Sequence, residues 1–151
     1  METKKNIRVT FVFAAIIFVI MGGCLFTYRK KAAQSEAITY LASIATCEIA
    51  YFGEQKTWGT TFEVIGWEPV GETRYAFYLS CEEVIPASVT GYRECPPELK
   101  KWFKTHKTDP DSEKGGFFAA AVANLDKDPK LDIWVIDQRK TPENIVSDLK
   151  K

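Results

Sequence analysis

Residues 9–28, VTFVFAAIIFVIMGGCLFTY, run for twenty positions without a formal charge. That is the length of apolar chain needed to cross a hydrocarbon core of about 30 Å. The stretch continues directly into an amphipathic segment, residues 29–53. Read as one helix at 1.5 Å per residue, the two would span roughly 68 Å, too long for a single compact small domain. The expected design is therefore one long N-terminal helix. Its first half spans a membrane and its second half carries a globular head, with residues 1–28 as anchor and 29–151 as head.

Lys4, Lys5 and Arg8 precede the apolar run, and Arg29, Lys30 and Lys31 follow it, so charge alone assigns no orientation. The run is read as a retained anchor in contact with membrane lipid. Two alternatives stand beside this reading. A cleaved secretory leader would need a small-x-small site after the run, and none follows. A lipoprotein leader would use Met21-Gly22-Gly23-Cys24, which loosely matches a lipobox with Cys24 as the acylated residue.

The segment after residue 29 repeats at helical spacing. Ala33, Ala37, Tyr40, Ile44, Cys47 and Tyr51 form one apolar stripe, and Ile38, Leu41, Ala45, Ile49 and Phe52 a neighbouring one. Ser35, Glu36, Thr39, Ser43 and Thr46 form a narrower polar face. So broad an apolar face predicts cover along most of one side. Gly53 is the expected C-cap, because glycine tolerates the left-handed conformation that ends helices.

Charge divides along the chain. Residues 1–31 hold six Lys/Arg against one Glu, net +5; the rest holds 14 basic and 19 acidic residues, net −5. The basic flanks suit anionic lipid headgroups. The mildly acidic head argues against nucleic acid, which requires a basic surface.

Four cysteines occur, with no CxxC pair and a single histidine, which argues against zinc. Cys24 lies in the apolar run, and Cys47 lies on a helix stripe, where a thiol acts as a small hydrophobe. Cys81 and Cys95 bracket a loop, and a disulfide is expected between them, with two free thiols as the alternative. A disulfide implies an oxidising, extracytoplasmic setting and would stabilise the head by about 2–4 kcal/mol.

Beyond the helix, residues 54–69 read as a connector, with Trp58, Phe62 and Trp67 as packing residues and Thr60 or Thr61 capping a short turn. Residues 73–80 alternate as a first strand. Residues 97–107 read as a short helix with Pro97 in its first turn. Residues 117–123 and 131–137 form a hairpin, and 143–149 either an edge strand or a turn of helix. The fold class expected is α+β, a long helix packed on a small antiparallel sheet.

No nucleophile elbow, phosphate loop or metal cluster emerges, so no enzymatic role and no cofactor are expected. His106, the only histidine, reads as a surface residue at the edge of the short helix. Asp126, Asp128, Asp132 and Asp137 match positions 1, 3, 7 and 12 of a calcium loop. Leu131 stands where the loop needs glycine, Lys130 occupies a ligand position, and Asp137 replaces the terminal glutamate. The segment is read as an Asx-rich turn, with calcium as the alternative.

Several segments together resemble the type IV pilins and pseudopilins. Residues 28–37, YRKKAAQSEA, resemble the stretch where pilin helices leave the membrane. Residues 44–52 are similar to the aromatic pattern at the helix end. Phe62 with Gly66-Trp67-Glu68-Pro69, and residues 73–79, look like the connector and first strand of one pilin subgroup. Residues 117–126 and 132–137 are similar to its C-terminal hairpin. The resemblance implies a structural subunit that assembles with like subunits through its N-terminal helix. Phe11, Phe13, Ile16, Ile17, Val19, Ile20 and Leu25 would supply that contact. It further implies an inner-membrane protein with an extracytoplasmic head, displayed at the cell surface if assembled. The chain departs from the pattern at residues 4–9, KKNIRV, where pilins carry a peptidase site of the form Gly-Phe-Thr-Leu-Ile-Glu.

Overall fold

The computed structural model describes the backbone of residues 2–106, 116–126 and 128–148, with side chains from residue 28 onward. Seven elements follow one another. Helix α1 is Glu2–Gln55, β1 is Ala76–Tyr78, β2 is Val84–Ile85 and α2 is Pro97–Thr105. Strands β3, Phe118–Ala123, β4, Asp132–Asp137, and β5, Glu143–Val146, complete the chain. Two compact units divide it, residues 1–32 and 33–151.

In the first unit α1 is helical from residue 2 onward. The apolar run 9–28, including Cys24 and the proposed assembly positions from Phe11 to Leu25, has its side chains outside the described residues, apart from Tyr28, which is exposed. Among the described residues no helix is long and apolar enough to cross a membrane.

The second unit is an α+β head. Its sheet has the order β2-β1-β3-β4-β5 and every pairing is antiparallel. Side chains alternate across it, as the pleat requires. One face carries Phe77, Ala119, Ala121, Ala123 and Ile136, which share a core with Ala33, Ala37, Leu41, Ile44 and Ala45 of α1. The central strand offers only methyl groups on this side, so a helix whose own stripe begins with alanines packs close to it. The opposite face carries Ala76, Tyr78, Ala120, Val122, Ile133 and Val135, in a second core with Leu99 of α2. Trp102 and Phe103 pack at its edge.

Several expectations change in detail. Helix α1 runs past Gly53 to Gln55, and the left-handed residue that follows it is Lys56, at φ 61°. Its amide donates to the Phe52 carbonyl at 2.9 Å and its Nζ to the Gly53 carbonyl at 3.1 Å. These bonds satisfy carbonyls that the helix end leaves open, so a lysine holds the position expected of glycine. Ile38, placed on an apolar stripe by spacing, is 38% exposed, because the buried arc centres on residues 37, 41 and 44.

The first strand is shorter than 73–80. Thr73 instead exchanges bonds with Ser88 and Val89: Ser88 Oγ accepts from the Thr73 amide at 2.6 Å, and the Thr73 carbonyl accepts from Val89 at 3.0 Å. At the other end the Leu79 amide donates to the Glu83 carbonyl at 3.2 Å. Both termini are thus satisfied by loop partners, and the ladder stops. Strand β2 pairs Phe77 with Ile85 and was not expected. Residues 143–146 resolve as an edge strand. The connector forms a turn around Thr61, whose carbonyl and hydroxyl accept from Ile65 and Val64. Trp58, Phe62 and Trp67 are buried in the first core, as packing residues should be.

Candidate functional site

The polar residues of α1 that face the head hold the connector in place. Glu36 accepts from the Arg74 amide at 2.7 Å and pairs with its guanidinium at 2.9 Å. The Tyr40 hydroxyl donates to the Val70 carbonyl at 2.6 Å, and Ser43 Oγ accepts from Trp67 Nε1 at 2.7 Å. Glu36 and Ser43 therefore do more than form a solvated face. Together with the rings of Tyr40, Trp67 and Phe77, whose centroids lie 5.3–6.0 Å apart, they fix the connector to α1.

Cys81 and Cys95 form the expected disulfide, with Cα atoms 5.4 Å apart. Cys81 lies three residues after β1 ends and Cys95 two before α2 begins, so the bridge ties the start of α2 to the sheet. The Tyr78 hydroxyl donates to the Glu94 carbonyl at 2.9 Å and supports the same loop. Burial pushes its phenol well above the ordinary range, with Tyr92 and Glu94 adding to the shift. Cys47 is a half-buried free thiol, pushed up by burial and then by the charge of Glu48. His106 is exposed, stacks on Trp102 with centroids 4.4 Å apart, and contacts its carbonyl at 3.0 Å. This matches its reading as a helix-edge residue.

The four aspartates matched to a calcium loop do not converge. Asp126 and Asp128 lie in the β3–β4 connection, where each accepts the amide two residues on, at 3.1 and 2.7 Å. Asn124 does the same for Asp126 at 3.3 Å. This is an Asx-turn ladder. Their carboxylates approach that of Asp148, with one oxygen of each within 4.8 Å of the others. One oxygen from each makes three ligands, fewer than the roughly six to eight a calcium ion takes. Asp137 sits at the end of β4, where it caps Arg139 and pairs with its guanidinium at 2.8 Å. Asp132 faces the opposite way from the turn, into the head, because strand β4 directs its even positions toward α1.

Asp132 is the hub of that interior. It is fully buried, and its Oδ2 accepts from the Tyr75 hydroxyl and from Trp134 Nε1, both at 2.7 Å. Its Oδ1 accepts from Gln34 Nε2 at 3.0 Å, Asn144 Nδ2 at 3.1 Å and the Asp148 amide at 3.2 Å. Five donors from α1, the start of β1, β4, β5 and the C-terminal turn meet on one carboxylate. Burial, then the neighbouring charge of Asp132, pushes the Tyr75 phenol far above its ordinary value.

Asp148 is also buried, at 3% exposure, but Glu48 is the other carboxylate that is fully enclosed among the described residues, and it is differently provided for. It too is fully buried. Its Oε2 accepts from the Gly59 amide at 2.9 Å, and its Oε1 has no hydrogen-bond partner among the described residues. Burial raises its pKa to about 7, and the Gly59 hydrogen bond pulls in the other direction. From sequence, Asp132 was singled out only as a calcium-loop position, and Glu48 not at all. For Glu48 the cue was present: it continues the steps of the buried residues Ala37, Leu41 and Ile44, a charge set in the middle of an apolar stripe.

No protein-family model matches the chain, and no curated protein matches it.

Proposed function

We propose that this chain is a structural, pilin-like subunit. Its N-terminal helix packs with those of like subunits in a type IV pilus or type II secretion-type filament, or holds the chain in the membrane as an accessory of one. The head forms the outer surface. The observation that supports this reading is a single element: α1 runs without a break from Glu2 to Gln55, and its residues 33–52 complete the first core of a small antiparallel sheet. The uncharged run 9–28 supplies the chemistry for membrane lipid and for other helices. The Cys81–Cys95 bridge suits a head outside the cytoplasm.

Two measurements test the proposal. Ile16→Asp should abolish assembly into filaments, while the head keeps its disulfide and its near-ultraviolet circular dichroism. The intact mass of the mature chain from the native membrane fraction decides the processing. A mass that begins within residues 1–9 keeps the helix whole and agrees with the proposal. A mass that begins at an acylated Cys24 removes most of the apolar run and overturns it. A tethered periplasmic binding or adhesion module then becomes the better account.

A further inference from the structure

Glu48 lies against a cavity of about 180 Å³ at the junction of α1, the connector and the sheet. Trp58 and Phe117 present aromatic rings to it, and Thr60 and Ser80 add hydroxyls; Phe118 also borders it, but its ring packs on Trp102 across the sheet. The rings of Trp58 and Phe117 are 5.3 Å apart, and Phe52 stacks behind Trp58 at 4.3 Å. Thr60 is exposed and Ser80 half-buried, so the hydroxyl side of the cavity opens toward solvent, and the aromatic side closes it.

The chemistry of this wall is one-sided. It holds an acidic oxygen that lacks a donor, aromatic faces that attract positive charge, and no basic side chain among the described lining residues. A buried carboxylate is normally matched by a cation or by several donors, and here one amide is all that faces it. The missing complement is a small cation that carries at least one N–H. We propose that the Glu48 cavity binds a primary ammonium group on a short alkyl chain, with Glu48 Oε1 accepting an ammonium hydrogen and the rings of Trp58 and Phe117 lying along the alkyl carbons.

Size agrees with the chemistry. A dry cavity of about 150 Å³ accepts benzene, so this one takes an amine of about six non-hydrogen atoms. A quaternary ammonium fits the rings but offers no hydrogen to Oε1, and a guanidinium is planar and larger than one oxygen requires. A free amine and the tip of a lysine side chain present the same group. Binding depends on the charge of Glu48. The groups that face it are Cys47 from α1, no titratable residue among Trp58, Gly59 and Thr60 of the connector, and none among Leu79, Ser80, Phe117 and Phe118 of the sheet side. Because burial raises the Glu48 pKa to about 7, its charged fraction grows between pH 6 and 8, and affinity should rise with it.

The test uses the full chain in nonionic detergent, with tryptophan fluorescence and the thermal midpoint as readouts. Propylammonium chloride and N-acetyl-lysine methylamide are titrated against sodium chloride and tetramethylammonium chloride at equal ionic strength. Propylammonium or the lysine derivative should saturate and raise the midpoint, and the tighter of the two identifies the source. Loss of a charged hydrogen bond in Glu48→Gln should weaken binding by about tenfold or more. Phe117→Leu, which leaves the carboxylate in place, should weaken it by about threefold. Three results would each overturn the site: no saturable effect of either amine, an effect unchanged in Glu48→Gln, or an equal effect of tetramethylammonium.

Discussion

Asp132 and Glu48 are both fully buried carboxylates of the same head, yet they are provided with very different numbers of donors. Asp132 is surrounded by five hydrogen-bond donors drawn from across the head. Glu48 has one, an apolar and aromatic wall, and a cavity. A buried anion is stable only where dipoles or charges replace the water it has lost. The Asp132 region meets that condition from within the chain, and so acts as a structural knot. The Glu48 region does not meet it, and so retains the capacity to titrate or to bind. Burial alone therefore does not distinguish a structural acid from a functional one. The number of donors does.

The largest effect expected from breaking this comparison is at the knot. Asp132→Ala leaves the Tyr75 hydroxyl, Trp134 Nε1 and the Asp148 amide without their acceptor. The head should lose about 3–5 kcal/mol, read as a fall in the urea midpoint. Asp132→Asn, which retains one acceptor oxygen, should lose less. Reduction of the Cys81–Cys95 bridge, or Cys81→Ala with Cys95→Ala, should lower stability by about 2–4 kcal/mol. The denaturant midpoint with and without reductant measures this. Should the disulfide matter more than Asp132, the knot is weaker than its five bonds suggest.

Glu48 sharpens the comparison through pH. Its folded pKa of about 7 lies above the ordinary 4.5, so the folded head holds the proton more tightly than the unfolded chain. Its contribution is fully favourable below about pH 4.5, and it is lost as pH rises to 7 and then stays constant. Without added amine, Glu48→Gln should match the parent near pH 4.5. Above pH 7 the variant should be the more stable by on the order of 2–3 kcal/mol. Denaturant titrations at pH 4.5, 6 and 8 check this, and parallel curves would place Glu48 in the same regime as Asp132. Gly59→Ala tests the one donor Glu48 has. The added methyl would lie 2.0 Å from Ile65 Cγ2 and 3.3 Å from Glu48 Oε2. Displacement of the connector should then destabilise the head by about 1–3 kcal/mol. The smallest effect is expected at the pair of exposed Arg74 and half-buried Glu36, where Arg74→Ala keeps the amide bond to Glu36 and should change stability by less than about 1 kcal/mol.

What was legible in the sequence follows from local spacing. The stripe Ala33, Ala37, Ile44 announces the helix, and the alternation of residues 131–137 announces β4. The bracketing of a loop by Cys81 and Cys95 announces the disulfide. The Asn and Asp residues at 124–128 indicate turn chemistry, because their side chains bond the backbone two residues on. The sheet order was less legible, since β2 is two residues long and exists only because β1 presents an edge to it. The calcium alternative grouped the aspartates by spacing alone, whereas the strand pleat sends Asp132 inward and leaves Asp126 and Asp128 in the Asx-rich turn that was the preferred reading.

The sequence by itself determined the α+β class, the packing helix after residue 33, the hairpin and the uncharged run at residues 9–28. Each of these depends on periodicity or on the identity of near neighbours. Only the tertiary structure decided the fate of the two carboxylates. Their donors come from up to 98 residues away in the chain, and whether a buried charge is compensated is a sum over everything that folding brings near it.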